Sequence, residues 1–250
     1  MPYCSFADSF GDTQNVNILF FPESCIFGKK SPMSYRYFVI YKPFGILSQF
    51  SGESDTLKEV FDFPKDVYPV GRLDKDSEGL LLITDDKALN NYLLNPVFGH
   101  TRTYLAQVEG LPDPEAIRAL EIGVDINVDG KMYRTKKAFA KLLENPPVLP
   151  ERNPPIRYRK SVPDSWVQLS LIEGKNRQVR KMTAAVGFPT LRLVRWSMEK
   201  LSIEGYQVGE VRTFTQEEIY ALLHVTDRKI QNSHRSHTYS STFSGNRKKR

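Results

Sequence analysis

Two short segments of the 250-residue chain hold residue types and spacings able to do chemistry. The first, Gly71-Arg72-Leu73-Asp74-Lys75-Asp76-Ser77-Glu78-Gly79, puts two bases, three acids and two glycines into nine residues. A polar loop between two strands is where a rigid scaffold presents reactive groups. A carboxylate held there can serve as a nucleophile or a base. A charged surface turn has the same composition, so the loop alone names no reaction. The second segment is Glu173-Gly174-Lys175-Asn176-Arg177-Gln178-Val179-Arg180-Lys181-Met182. On a helix, Arg177, Arg180, Lys181 and Ala184 share one face, and Val179, Met182 and Val186 share the other. The apolar face can dock on a sheet, which leaves the cations near a helix N-terminus, itself attractive to phosphate or carboxylate.

Both segments need elements to hold them. Tyr35 to Tyr41 is β-rich and is stopped by Lys42-Pro43. Asp55 to Phe61 reads as a short helix and Val67 to Val70 as a short strand. Leu80-Leu81-Leu82-Ile83 is a continuous apolar run, the pattern of a strand buried on both faces. Asp85-Asp86 then caps a helix through Leu94. Thr103 to Glu109 alternates as a strand that Gly110 ends, and Pro114 opens a helix through Leu120. A further strand is expected from Tyr133 to Leu143, followed by a proline-rich loop over residues 145–163. Ser165 to Ile172 alternates cleanly, Gly174 breaks it, and Asn176 is typed to cap the helix that follows. Thr190 to Ile203 reads as a strand pair, and Thr215-Gln216-Glu217-Glu218 opens a last helix with a capping box. The crossovers are too few for a regular βαβ repeat, so the pattern predicts an α+β fold with a mixed sheet.

Composition excludes several classes. The two cysteines, Cys4 and Cys25, both precede the first strand, so the rest of the chain offers no thiol nucleophile, Cys zinc site or disulfide framework. That fits a reducing compartment, and a cytoplasmic location is expected. His100 and His224 are too far apart to suggest a metal site. There is no G-x-G-x-x-G, Walker A or G-x-S-x-G pattern. No apolar run approaches the about eighteen residues of a membrane span. The net charge of +6 is equalled by residues 227–250 alone, which hold seven Lys/Arg and one acid. That tail reads as disordered and basic, and residues 1–33 as an extension within which Met33 is a possible start. Residues 152–181 hold eight Lys/Arg against two acids, a local excess that can attract a polyanion.

Four segments, in order, then carry a resemblance: Tyr41-Lys42-Pro43 with Gly45, Gly71 to Gly79 with its leucine run, Arg102-Thr103-Tyr104, and Glu173 to Met182. The chain resembles the pseudouridine synthases that act on ribosomal RNA. Arg152 to Arg157 and Gly187 to Arg192 look like the E type of that family. The resemblance covers residues 35–215 and implies a mixed, mainly antiparallel sheet flanked by helices, with an active-site cleft on one face over residues 34–226. It also implies that the small S4-type RNA-binding domain of many relatives is absent. By the same resemblance Asp74 is the catalytic aspartate, Tyr104 stacks on the target uracil, and Arg180 pairs with Asp74. Asp76 and Glu78 are then framework residues. The cations Lys42, Arg72, Lys175, Arg177 and Lys181 are expected to contact RNA. The reaction needs no metal or other cofactor. A monomer acting on large-subunit ribosomal RNA or its precursor is implied, without a membrane. Two other classes fit parts of the pattern: a glycoside hydrolase using two acids of the loop, and a ribosome-assembly factor that binds RNA without reacting.

Overall fold

The computed structural model describes residues 35–156 and 162–226. In chain order the elements are β1 (Tyr37–Lys42), a 3-10 turn (Leu57–Glu59), β2 (Tyr68–Pro69), β3 (Glu78–Thr84), α1 (Lys87–Leu94), β4 (Arg102–Glu109), α2 (Pro114–Ile122), β5 (Asp125–Val128), β6 (Lys131–Arg134), β7 (Phe139–Leu143), β8 (Asp164–Leu171), α3 (Gln178–Ala185), β9 (Thr190–Met198), β10 (Leu201–Ser202), β11 (Val211–Phe214) and α4 (Gln216–Leu222). The N-terminal extension, Met33 and the basic tail lie outside the described residues, as does any S4-type domain ahead of β1.

The leucine run is β3, and every one of its residues is buried. Strand alternation divides it between two cores. Leu80 and Leu82 belong to a core with Tyr37, Val39 and Tyr41 of β1, Leu89 and Leu93 of α1, and Ile219 of α4. Leu81 and Ile83 belong to another, with Phe38, Ile40, Leu57 and Val67. A third core joins Ala106, Val167, Leu169 and Leu193 of the sheet to Leu120 of α2 and to Val179 and Met182 of α3. The apolar face of α3 therefore docks as its periodicity requires.

The main sheet runs β11-β1-β3-β9-β4-β8-β7, with β2 on β3 and β10 on β9. Its pairings are antiparallel except β3 with β9, where Glu78 lies opposite Val194 and Gly79 opposite Arg195. Gly79 is needed at that crossing. Its φ is 104°, and a Cβ there would sit 2.4 Å from the carbonyl oxygen of Arg195. The glycine that closes the candidate loop thus lets β9 approach it. Two of the helix starts follow their sequence signals: Asp86 accepts from the Leu89 amide at 2.9 Å, and Thr215 with Glu218 forms the capping box.

Three expectations are corrected. The helix over Asp55 to Phe61 is only the 3-10 turn. The strand over Tyr133 to Leu143 is two strands: β6 pairs with β5 in its own small sheet, while β7 joins the main one. Residues 135–138 between them run under Glu173, whose Oε1 accepts from the Lys136 amide at 2.9 Å. Asn176 does not cap α3. Arg177 holds that position in left-handed geometry, φ 52°, with no side-chain cap, since a guanidinium has no acceptor to offer a helix amide; it forks Asp76 instead.

Candidate active site

The loop from Gly71 to Ser77 joins β2 to β3 and forms one wall of a cleft of about 1050 Å³. Gly174 to Val179 and the start of α3 form another wall, and Tyr104 of β4 and Arg195 of β9 also line it. A cleft of that volume is at the upper end for a small-molecule site and can admit an extruded nucleotide. Seven Lys/Arg and three acids line it, so it favours a polyanion although the chain apart from its tail is neutral.

The three acids of the loop meet three environments. Glu78 is 1% exposed. Arg192 grips it with Nε at 2.9 Å and Nη2 at 2.8 Å. Asp76 is forked by Arg177, Nη1 to Oδ1 at 2.8 Å and Nη2 to Oδ2 at 2.7 Å. Those hydrogen bonds hold the Asp76 carboxyl below the usual carboxylate range, with burial opposing them and Arg180 adding to them. Asp74, 39% exposed against 37% for Asp76, has one ion-pair contact among the described residues, Arg177 Nη1 at 3.7 Å, too long for a hydrogen bond. Of the three, Asp74 alone is left with its oxygens open to a ligand.

The walls are tied together below the cleft. Glu173, 5% exposed, accepts from Tyr133 Oη at 2.6 Å, from Gln178 Nε2 at 2.6 Å and from the Lys136 amide. One carboxylate so fixes the β5–β6 hairpin against the first turn of α3. The Gly45 amide donates to the Lys75 carbonyl at 2.8 Å, and Ser48 Oγ to the Leu73 carbonyl at 2.9 Å, which holds the acidic loop from its other side.

Residues 36–185 match the family RNA pseudouridylate synthase. The chain belongs to that family. It is 49% identical over 172 residues to ribosomal large subunit pseudouridine synthase E of Xanthomonas axonopodis pv. citri, covering 66% of this chain and 88% of the relative. It is 36% identical to ribosomal large subunit pseudouridine synthase B of Bacillus subtilis over 76% of this chain and 72% of that one. A solved pseudouridylate synthase crystal structure superposes with a TM-score of 0.62 at 29% identity, covering 75% of this chain and 74% of the other. The α+β fold and mixed, mainly antiparallel sheet expected of a pseudouridylate synthase are those described above.

Two site expectations differ from the geometry of this pseudouridylate synthase. Arg180 meets Asp76, not Asp74, with Nε 3.4 Å from Oδ2 and Nη2 donating to the Asp76 carbonyl at 2.6 Å. Arg177 is the cation within 4 Å of Asp74 among the described residues. Lys42 is not placed to touch RNA: it is 0% exposed, and its Nζ donates to the carbonyls of Pro43 at 2.8 Å and Ile46 at 2.6 Å. Burial pushes its ammonium down to about 8. It braces the Phe44–Gly45 wall from inside. Arg72, Lys175 and Arg177 do line the cleft, Lys175 lying 4.6 Å over the Tyr133 ring. Lys181 sits on α3 outside that lining. Sequence reasoning passed over Arg195 and Lys136 and gave Arg102 no role beyond its place in a motif; all three line the cleft. The signal for Arg195 was an arginine in the apolar run of β9. Among the described residues, no group of three His, Cys, Asp or Glu is arranged to hold a metal, and no helix is long and apolar enough to cross a membrane.

Proposed function

We propose that this chain isomerises a uridine of large-subunit ribosomal RNA to pseudouridine, with Asp74 acting on the ribose. The observation that carries the assignment is the sorting of the loop acids: Glu78 is buried in an ion pair, Asp76 is forked by Arg177, and Asp74 at the cleft has only a 3.7 Å contact with Arg177 among the described residues. The N1–C1′ bond breaks, the uracil turns, and a C5–C1′ bond forms. The proton lost from C5 is balanced by one gained at N1. A carboxylate serves the ribose step. Arg177, with Nη1 3.7 Å from Oδ2, stands beside it. A uridine must leave its stack to be reached, and Tyr104, at the cleft, supplies a flat apolar ring with a polar tip for the extruded base. Arg72, Lys175 and Arg177 meet the flanking phosphates, contacts that position the strand without reading its sequence.

The large-subunit substrate is supported by the printed names of the relatives in Xanthomonas and Bacillus. The glycoside hydrolase and the non-reacting assembly factor have no comparable support. A monomer working in the cytoplasm is the proposed form, the relatives being bacterial ribosomal RNA enzymes by name. The test is pseudouridine formation on a large-subunit ribosomal RNA transcript, read by carbodiimide treatment and primer stops. A stop at one or a few uridines with the wild-type chain, absent with Asp74→Asn, is the expected result. No stop with the wild-type chain would sink the assignment.

A further inference from the structure

Two arginines stand three residues apart on β9, and their surroundings differ. Arg192 has the Glu78 carboxylate, as a buried structural arginine needs. Arg195 is 3% exposed, and the charged or polar side chains that interact with it among the described residues are Tyr104, Arg102 and Lys42, with no carboxylate among them. Its Nε donates to the Leu80 carbonyl at 2.7 Å, while its Nη2 is buried without a hydrogen-bond partner among the described residues. An unpaired buried donor costs about 1–3 kcal/mol, so this arginine is poorly explained as a fold element.

Its position relates it to the cleft instead. Tyr104 lies directly across the ladder from Arg195, and a register shift beside them leaves Trp196 as the extra residue of β9. Such a bulge re-aims the side chains next to it. Both residues line the cleft that Asp74 lines, and the guanidinium interacts with the Tyr104 hydroxyl.

Building on the proposed pseudouridine reaction, we propose that Arg195 is a positioning residue that acts through the Tyr104 hydroxyl. A guanidinium can only donate, so when a nucleotide fills the cleft the phenol oxygen accepts from Arg195. The phenolic hydrogen then turns away from Arg195 and toward the cleft, where an oxygen of the bound nucleotide takes it. Tyr104 thereby contributes a directed hydrogen bond as well as a stacking face, and the Leu80 carbonyl anchors the arginine that sets its direction.

The test is single-turnover pseudouridine formation on a large-subunit ribosomal RNA transcript by wild type, Arg195→Met, Tyr104→Phe and the double variant, with the thermal midpoint of each. Each single variant is expected to lose about tenfold or more, and the double to lie within about twofold of Tyr104→Phe, because the two act as one unit. Arg195→Lys is expected to recover part of the rate when Tyr104 is present and none in the Tyr104→Phe background. An Arg195→Met loss of equal size in both backgrounds would show a merely structural arginine and overturn the proposal. Full wild-type rate in Tyr104→Phe overturns it too, even where Arg195→Met fails to fold. A wild-type chain that forms no pseudouridine overturns the underlying assignment and this inference with it, an outcome distinct from an active chain with independent losses.

Discussion

Asp74 and Glu78 are four positions apart in one loop and end in opposite situations. Glu78 is at the first position of β3, where the parallel crossing with β9 brings Arg192 onto it. Asp74 stops short of the sheet, with Ser77 turning back to donate to its carbonyl at 3.0 Å. The same residue class is structural when a fork-shaped cation and a buried strand enclose it, and available for chemistry when the turn leaves it at the rim. The role follows from how far the backbone carries the side chain into the core, not from its charge.

Glu78→Gln should have the largest effect on stability. It leaves the Arg192 guanidinium, 7% exposed, without its counter-charge, and breaking a buried pair costs about 3–5 kcal/mol. Urea midpoints of the variant and wild type measure it, and a change below about 1 kcal/mol would move Glu78 into the same class as Asp76.

Gly79→Ala attacks the crossing that separates the two acids. A Cβ at φ 104° and 2.4 Å from the Arg195 oxygen forces β9 away. Backbone strain of that kind costs about 1–3 kcal/mol, with the clash adding to it. Both the thermal midpoint and the rate should fall, because Arg195 moves with its strand.

Lys42 sharpens the comparison from below. Burial lowers its ammonium from the ordinary 10.5 to about 8. Between those values the unfolded chain holds a proton that the folded chain has lost. The contribution of Lys42 to stability is therefore full above the unfolded value and is lost as pH falls through about 8. Lys42→Met removes the titration, so the stability of wild type relative to the variant should rise by about 2–3 kcal/mol from neutral pH to pH 10. A flat difference would contradict the burial of the charge.

Asp76→Asn should have the smallest effect. Its partner Arg177 is half exposed, and pairs of that kind are worth about 1 kcal/mol or less. Stability should hardly move, and the rate should fall less than about tenfold, since Arg177 remains near Asp74.

Much of this architecture was legible in the residues. The run Leu80 to Ile83 could only be a strand covered on both sides, and Val179 with Met182 could only be the docking face of α3. The nine-residue loop and the cationic helix were visible as chemistry before any partner was known. The partners themselves were not. Lys42 looks like any lysine at a strand end, and only the carbonyls of Pro43 and Ile46, turned inward by a local backbone bend, make it internal. Arg180 meets Asp76 because α3 begins one residue later than Asn176 suggested, which leaves Arg177 at the cap and aims it at the loop. β5 and the break before β7 escaped because Glu173, about forty residues downstream, satisfies the backbone there. Local pattern reports burial and period, whereas cross-chain hydrogen bonds decide which of several like charges meet.

The central claim is that one acid of the three performs the chemistry. It is tested most directly by the single-turnover rate of Asp74→Asn beside Asp76→Asn on the same large-subunit ribosomal RNA transcript, with RNA affinity and thermal midpoint measured for both. Asp74→Asn should lose at least about a thousandfold, a barrier increase of about 4 kcal/mol, with midpoint and affinity close to wild type. Asp76→Asn should stay within about tenfold of wild type. An Asp74→Asn variant within about tenfold of wild type, or an Asp76→Asn variant that also loses about a thousandfold, would contradict the assignment.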